Sequence, residues 1–170
     1  MVIAKIISSR STCLSRPTGA VVVKNKHILT TGYNGAMPGV DHCIDEGECF
    51  RRRLNVPDID KYNFCRATHA EANALAQAAR FGISVEGAVL YTTLAPCYVC
   101  LKLLATARIT EIYYEYQYES KHPERDVHWQ DAIHDAGIKL TQLSISPQAL
   151  EMMQHSLSAP TSVRKLEATK

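Results

Sequence analysis

"THAEANALAQAARFG", residues 68–82, is the stretch from which the fold of this chain can be worked out. It is rich in alanine and predicts a helix over 68–81. Thr68 and Glu71 fit the S/T-x-x-E capping box, in which a hydroxyl and a carboxylate satisfy free amide groups of the first turn. On this interpretation Glu71 is structural, and a lone His69 is more often a hydrogen-bonded polar residue than a ligand. Residues elsewhere must decide whether either has a chemical role.

Strands and helices alternate on both sides of this helix. Before it, "GAVVVKNKHILTTGYN" predicts a hairpin of two strands with a turn at 24–26. After it, strand and helix patterns follow in turn: "AVLYTTL", "CYVCLKLLATAR", "EIYYEY", "VHWQDAIHDAG" and "KLTQLS". This order predicts a mixed sheet with helices on its faces. We expect one domain over 1–146, with a loop insertion over 35–67 that lacks a clean period, and a C-terminal helix and polar tail over 147–170.

Composition narrows the function classes. The chain has 170 residues, with 19 Lys plus Arg against 17 Asp plus Glu, and no dense basic stripe that would predict nucleic-acid binding. Its first ten residues contain no long apolar core and no small-residue cleavage site, so neither a membrane span nor a secretory signal is expected. We therefore expect a cytoplasmic protein. In that reducing compartment, six cysteines indicate metal or redox chemistry rather than disulfides.

"LAPCYVC", residues 94–100, supplies the second half of a candidate site. Cys97 and Cys100 are three residues apart at a predicted helix start, where the helix dipole favours thiolates. Taken alone, the pair fits a metal site and a thioredoxin-like redox pair equally well. His69 favours metal, because two helices that each follow a strand-like segment open toward the same sheet edge. Three protein ligands leave the fourth position of zinc for a water molecule, beside which Glu71 would handle the proton.

The chain resembles the deoxycytidylate (dCMP) deaminases of the zinc-dependent cytidine and deoxycytidylate deaminase superfamily. H-x-E followed by P-C-x-x-C is the signature of zinc-dependent nucleobase deaminases. "RSTC", "GAVVV", "GYNGAMPG", "THAEANA" and "APCYVC" also occur in the family's order, and the resemblance extends from about Arg10 to Leu143. It implies a cytidine-deaminase-like three-layer α/β/α sandwich with a mixed five-stranded sheet. It also implies hydrolysis of dCMP to dUMP and ammonia, with Glu71 as the catalytic residue and His69, Cys97 and Cys100 as zinc ligands.

The resemblance extends to the substrate site and to a second metal. It places Asn34 at the nucleotide sugar, the Ala95 carbonyl at the exocyclic amine, and Tyr118 near the base and phosphate. Ala70 and Arg66 are also expected at the substrate, with Arg66 and arginines of the 51–53 run as candidates for the 5′-phosphate. A structural Zn²⁺ is expected on four cysteines, with His42 as a substitute ligand: Cys13, Cys43, Cys49 and Cys65.

Regulation is also implied by the resemblance. Relatives bind triphosphates through the "GYNGAMPG" loop, so Gly35 and Gly39 are expected near dCTP, an activator that would bring Mg²⁺, or dTTP, an inhibitor. A homo-oligomer, a hexamer by analogy, is expected, although the first helix looks shorter than in relatives. Two alternatives remain: a deaminase for another base or nucleotide, such as tRNA adenosine, guanine or CMP, and a non-catalytic zinc-binding module. Glu71 argues against the module, since a structural zinc site fills all four positions with protein ligands.

Overall fold

The opening hairpin forms as the sequence predicts. In a computed structural model, which describes residues 1–57, 60–117, 129 and 131–158, β1 (Gly19–Lys24) pairs antiparallel with β2 (His27–Tyr33). Asn25 and Lys26 connect them, with φ of 51° and 66°. Two-residue hairpin turns with both central residues at positive φ match the twist of the strands that they join.

The central sheet is mixed and has five strands in the order β2-β1-β5-β6-β7. β1 is also antiparallel to β5 (Val89–Leu94), whereas β6 (Glu111–Tyr116) and β7 (Lys139–Gln142) continue in parallel. The predicted fold class, α/β with a mixed five-stranded sheet and an opening hairpin, is confirmed. The parallel half places the carboxyl ends of β5 and β6 at one edge.

Helices cover both faces of the sheet. The described helical segments are α1 (Val2–Ser8), α2 (Phe50–Arg53), α3 (Ala70–Phe81), α4 (Tyr98–Thr106), α5 (131–135) and α6 (Pro147–Ser158). Ala20 and Val22 of β1 join the buried core with α3 and α4. Gly19, on the other face of β1, lies against α1, where a Cβ would come within 2.2 Å of the Ala4 carbonyl oxygen. The result is the expected three-layer sandwich, with a first helix of only seven residues.

The insertion contains regular structure that the sequence pattern did not reveal. β3 (Gly35–Ala36) pairs antiparallel with β4 (Ala67–Thr68). Because Thr68 pairs with Gly35, it cannot cap α3, and His69 is the N-cap instead, without a side-chain capping bond. The predicted capping box of Thr68 and Glu71 is therefore wrong, although the Glu71 carboxylate accepts a hydrogen bond from its own backbone amide in the first turn.

α3 packs very closely on the end of β2. A Cβ at Gly32 would lie 2.1 Å from the Ala70 carbonyl oxygen and 2.5 Å from the Ala74 amide nitrogen. Real Cβ atoms do not make such contacts, so any side chain at position 32 would displace the first turn of the helix. That glycine therefore sets the place where His69 and Glu71 emerge.

Three expectations concern the ends of the chain and its surroundings. In the ranges that the structure describes, no helix has the length and apolarity needed to cross a bilayer. β7 ends at Gln142 and α6 begins at Pro147, but nothing tests the predicted division of the chain at 146. Most of the predicted polar tail, from 159 onward, lies outside the described residues.

Candidate active site

The first residues of α3 and α4 bring three metal-ligand side chains together. His69 and Cys97 are the N-cap residues, and their carbonyls accept the first helical hydrogen bonds, from Asn73 and Leu101. Nδ1 of His69 lies 3.4 Å from Sγ of Cys97 and 3.5 Å from Sγ of Cys100. The three ligand atoms all lie within 4.8 Å of one another. The two helix starts therefore converge on one point, as the sequence analysis expected.

The charges of the site suit a cation. A hydrogen bond from the Cys100 thiol, together with the bond to His69, lowers the pKa of Cys97 to about 4. These two hydrogen bonds shift the pKa values of the partner groups in the opposite direction. The bond between His69 and Cys97 raises the pKa of His69, and the bond between Cys100 and Cys97 raises the pKa of Cys100. Without metal, the site thus holds one thiolate and protons that a metal ion would displace. One imidazole nitrogen and two sulfurs are a donor set that fits Zn²⁺ and leaves its fourth position open.

Glu71 is a buried carboxyl beside these ligands. It is 4 % exposed, and this burial raises the pKa of Glu71 above its ordinary range. Its carboxyl group lies within hydrogen-bonding reach of the Cys100 sulfur. A buried carboxyl with a raised pKa is suited to proton transfer near neutral pH. Its own backbone amide helps to hold the carboxylate, which leaves it beside the metal-ligand cluster.

A cavity of about 210 Å³ opens onto the cluster. Its lining combines residues of the helix starts, the strand ends, the segment before β1 and the insertion: Cys13, Ser15, Arg16, Thr18, Asn34, Arg51, Lys61, Tyr62, Cys65, Ala67, His69, Ala70, Glu71, Leu94, Ala95 and Cys97. The lining thus holds the metal ligands His69 and Cys97, the buried acid, and three cationic side chains. A small polar molecule that carries negative charge fits this composition.

Residues 1–116 match the family model described as the cytidine and deoxycytidylate deaminase zinc-binding region. The chain belongs to this family. It is 41 % identical over 117 residues to a deoxycytidylate deaminase of Mycobacterium phage D29, and the match covers 66 % of this chain and 88 % of the phage protein. It is 32 % identical over 167 residues to a deoxycytidylate deaminase of Enterobacteria phage T4, covering 81 % and 84 % of the two chains.

The same assignment follows from a solved structure. The dCMP deaminase of cyanophage S-TIM5, in complex with dCMP and dUMP, superposes with a TM-score of 0.63 at 28 % identity. The match covers 84 % of this chain and 92 % of the cyanophage chain. The protein is thus a zinc-dependent deaminase, a hydrolase of nucleotide metabolism, and the fold class expected from the sequence is that of its relatives.

Three of the predicted substrate residues of the deaminase line the cavity, a fourth lies outside the lining, and the fifth falls outside the described residues. Asn34, Ala70 and Ala95 lie in the lining. Arg66 is not in the lining: its Nη1 donates to the Asp41 carbonyl at 2.9 Å and to Glu46 at 2.6 Å. Its guanidinium also lies 4.3 Å from the centre of the Phe50 ring. Arg66 therefore braces the insertion, and its expected contact with the substrate stays a prediction. Tyr118 lies outside the described residues.

Asn34 of the deaminase is held by its own hydrogen bonds. Its Oδ1 accepts from the Ser11 hydroxyl at 2.6 Å and from the Thr18 amide at 2.8 Å. Its Nδ2 donates to the Arg16 carbonyl at 2.9 Å. Because a side-chain amide has two N–H donors, one remains for a ligand in the cavity. The same bonds fix the segment before β1, which carries Arg16.

Sequence reasoning missed part of the lining. Arg16 and Lys61 occur in segments without periodicity, where a solvated loop is the ordinary interpretation. Arg51 was one of three consecutive arginines, and the structure distinguishes it: Arg51 lines the cavity, while Arg52 and Arg53 are exposed. Nε of Arg51 is buried and has no hydrogen-bond partner in the described structure. A buried donor of this kind is stabilised by a ligand that can accept from it.

The cysteines expected at a second zinc do not gather into a comparable group. In the described ranges, the group of three or more ligand side chains close enough to share an ion is the one at His69. Cys43 and Cys49 are buried, whereas Cys13 and Cys65 line the cavity. Burial raises the pKa of Cys65, and the nearby Cys13 and Cys49 raise it further.

Proposed function

We propose that this deaminase converts dCMP to dUMP, with release of ammonia. The observation that carries the proposal is the cavity itself, which combines the His69, Cys97 and Cys100 cluster and the buried Glu71 with Arg16, Arg51 and Lys61. The relatives named as deoxycytidylate deaminases, and the cyanophage enzyme with dCMP and dUMP bound, support this substrate.

Each side chain has a defined part in the hydrolysis. His69, Cys97 and Cys100 would hold the zinc ion, which when bound lowers the pKa of its water to about 7. Glu71 accepts a proton from the attacking water and delivers it to ring nitrogen N3. It then transfers the second proton, from the hydroxyl group that has added to C4, to the departing amine, which leaves as ammonia while the C4 carbonyl forms. The amide nitrogen of Ala95 donates to the Tyr116 carbonyl at 2.8 Å, which fixes the backbone whose carbonyl would accept from the exocyclic amine. Asn34 offers its remaining N–H to the sugar.

Positive charge in the lining supports a nucleotide rather than a nucleoside. A 5′-phosphate carries up to two negative charges, and its charge-assisted hydrogen bonds are stronger than neutral ones. Arg51 has a buried donor without a partner, so it is our first candidate for the phosphate. A nucleoside would leave such donors unpaired, and sites of this kind discriminate strongly against a ligand that lacks the group.

A substrate panel tests this proposal. We expect kcat/KM for dCMP to exceed that for deoxycytidine by at least about 100-fold, or roughly 3 kcal/mol in transition-state binding. Arg51→Gln should lower kcat/KM for dCMP and leave the weak reaction with deoxycytidine nearly unchanged. Arg52→Gln is the matched control, since Arg52 is the next residue of α2 but is exposed. The loss of ultraviolet absorbance on deamination provides the assay.

Other outcomes of the panel would overturn the proposal in definite ways. Equal kcat/KM for deoxycytidine and dCMP would remove the monophosphate assignment. Faster turnover of CMP, guanine or a tRNA adenosine would show that one of these alternatives is the substrate instead of dCMP. An unchanged preference for dCMP in Arg51→Gln would remove Arg51 from the phosphate site and leave Arg16 and Lys61.

Regulation by triphosphates forms a further part of the proposal. Gly39 has φ of +83° with open space around it, so the "GYNGAMPG" loop has backbone that a phosphate can approach at that residue, whereas Gly35 is buried beside Thr12. If dCTP with Mg²⁺ activates and dTTP inhibits, the dCMP saturation curve of a homo-oligomer should be sigmoidal. It should become hyperbolic with dCTP and shift to higher dCMP with dTTP. A hyperbolic curve that neither triphosphate changes would discard the regulation and keep the enzyme.

Four other expectations are kept as proposals. A second, structural Zn²⁺ on Cys13, Cys43, Cys49 and Cys65 has partial support, because Cys65 is close enough to Cys13 and Cys49 for their charges to affect it. A hexameric assembly and a cytoplasmic location are likewise proposed. So is the division into a deaminase domain over 1–146 and a C-terminal helix and tail over 147–170.

A further inference from the structure

The side-chain amide of Asn73 joins α3 to two segments that lead into the active site. Its Nδ2 donates to the Tyr33 carbonyl at 2.7 Å and lies 3.4 Å from the Thr68 carbonyl. Tyr33 is the last residue of β2, and Thr68 is the last residue of β4. The residues that follow them are Asn34 and His69, the proposed sugar contact and the proposed metal ligand.

We propose that Asn73 is a positioning residue, which holds Asn34 and His69 at a fixed separation while touching neither substrate nor metal. Its own backbone adds to this role, since the Asn73 amide donates to the His69 carbonyl at 2.9 Å. The neighbouring contact at Gly32 presses Ala70 and Ala74 of the same helical turn against β2. The packing at Gly32 sets the distance between helix and strand, and the amide of Asn73 fixes the two chain segments that leave this contact.

The chemistry of the contact requires an amide. Both partners are carbonyl oxygens, which accept only, so the group between them must donate. Asparagine supplies two N–H donors at one nitrogen. Aspartate has nearly the same shape but no donor when ionised, and it would face the two oxygens with a negative charge. Alanine would remove the group without introducing charge.

Gln77 provides a matched comparison on the same helix and strand. It lies one turn farther along α3, and its Oε1 accepts from the Thr31 amide at 3.1 Å. This bond also ties α3 to β2, but it is farther from the active site, and Gln77 does not line the cavity. Loss of either side chain removes a helix-to-strand hydrogen bond, whereas only the Asn73 bonds adjoin Asn34 and His69.

The experiment compares Asn73→Asp, Asn73→Ala and Gln77→Ala with the wild-type enzyme. Four quantities are measured: kcat and KM for dCMP, the rate at which a chelator removes zinc, and Tm. We expect both Asn73 variants to lose about 10- to 100-fold in kcat/KM, the effect of a displacement on the order of 1 Å at a reacting centre. They should also release zinc faster. Gln77→Ala should lower Tm to a similar extent, with kcat/KM and zinc release within about twofold of wild type.

Asn73→Asp separates positioning from a merely structural role. A carboxylate in the first turn of a helix is favourable to the helix dipole, so a residue that only stabilises α3 would tolerate this change. Wild-type kcat/KM and zinc release in Asn73→Asp would overturn the proposal. So would equal kinetic losses in Asn73→Ala and Gln77→Ala, a comparison that remains available if the Asp variant does not fold.

The use of dCMP in the kinetic measurements rests on the proposed function, but different results would refute the dCMP assignment and the role of Asn73. An inactive wild-type protein would refute dCMP as the substrate. The comparison of zinc release between Asn73→Ala and Gln77→Ala would still decide the role of Asn73, because it requires no turnover.

Discussion

Glu71→Gln is expected to lower kcat by about 10²- to 10⁴-fold or more while zinc and fold are retained. Glutamine has nearly the same shape as glutamate and is not an expected zinc ligand here. It cannot accept the proton of the attacking water and deliver it to N3, nor transfer the second proton to the leaving amine. Single-turnover measurements with dCMP, together with zinc content by mass spectrometry, check both halves of the expectation.

The control for this variant is a second well-buried glutamate. The side chain of Glu115 is 10 % exposed and pairs with Lys5 at 2.7 Å, away from the cavity. Glu115→Gln should lower stability and leave kcat within about twofold of wild type. Loss of zinc together with activity in Glu71→Gln would contradict the assignment, since it would mean that Glu71 holds the metal site together.

The same substitution should reveal the energetic cost of the catalytic acid. Burial raises the pKa of Glu71 above its ordinary value of 4.5, so the folded state favours the neutral carboxyl. Its contribution to stability is fully present below the unfolded pKa and is lost as pH rises through the folded pKa. At neutral pH, metal-free Glu71→Gln should therefore be more stable than metal-free wild type. The difference should shrink as the pH is lowered toward about 4.5, and denaturant titrations at several pH values would measure it.

The parts of the site that follow from local pattern and sheet topology were predictable. Cys97 and Cys100 share the start of a helix because of their spacing, and His69 starts another helix. The rule that helices after strands open at one sheet edge predicted that the three side chains meet. It describes α4, which follows β5 of the central sheet, but α3 follows β4 of the separate two-stranded sheet, and its packing against Gly32 of β2 places His69 at the same point.

The parts that depend on specific non-local contacts were not predictable. Thr68 has a capping sequence, yet its pairing with Gly35 across the insertion removes it from the helix. The sequence gives no reason to assign different roles to Arg51 and Arg66, yet in the structure Arg51 lines the cavity and Arg66 does not. Successive residues of a helix point about 100° apart, so only the placement of α2 decides which arginine of the 51–53 run faces the cavity. Arg66 braces the insertion because Glu46 and Phe50 happen to fold beside it.

Cys100→Ala is expected to abolish turnover and to remove one zinc ion per chain. Two protein ligands remain after this change, which is too few for a stable catalytic zinc site. Cys97→Ala and His69→Ala should have the same effect. If the second zinc is present, the native protein should contain about two zinc ions per chain, of which one survives Cys100→Ala. Metal analysis of the purified variants provides the count.

The reciprocal variant distinguishes the two metal sites. Cys43→Ala should remove the second zinc and leave the catalytic zinc, because Cys43 does not line the cavity. One zinc per native chain, with Cys13, Cys43, Cys49 and Cys65 all open to thiol reagents, would discard the second site.

Acid should weaken the binding of the catalytic zinc by protonating its ligands. The hydrogen bond with Cys97 raises the pKa of both His69 and Cys100, so these two groups must lose protons before they can bind metal. Zinc affinity should therefore fall as pH is lowered, whereas Cys97, with its pKa lowered to about 4, stays a thiolate over most of that range.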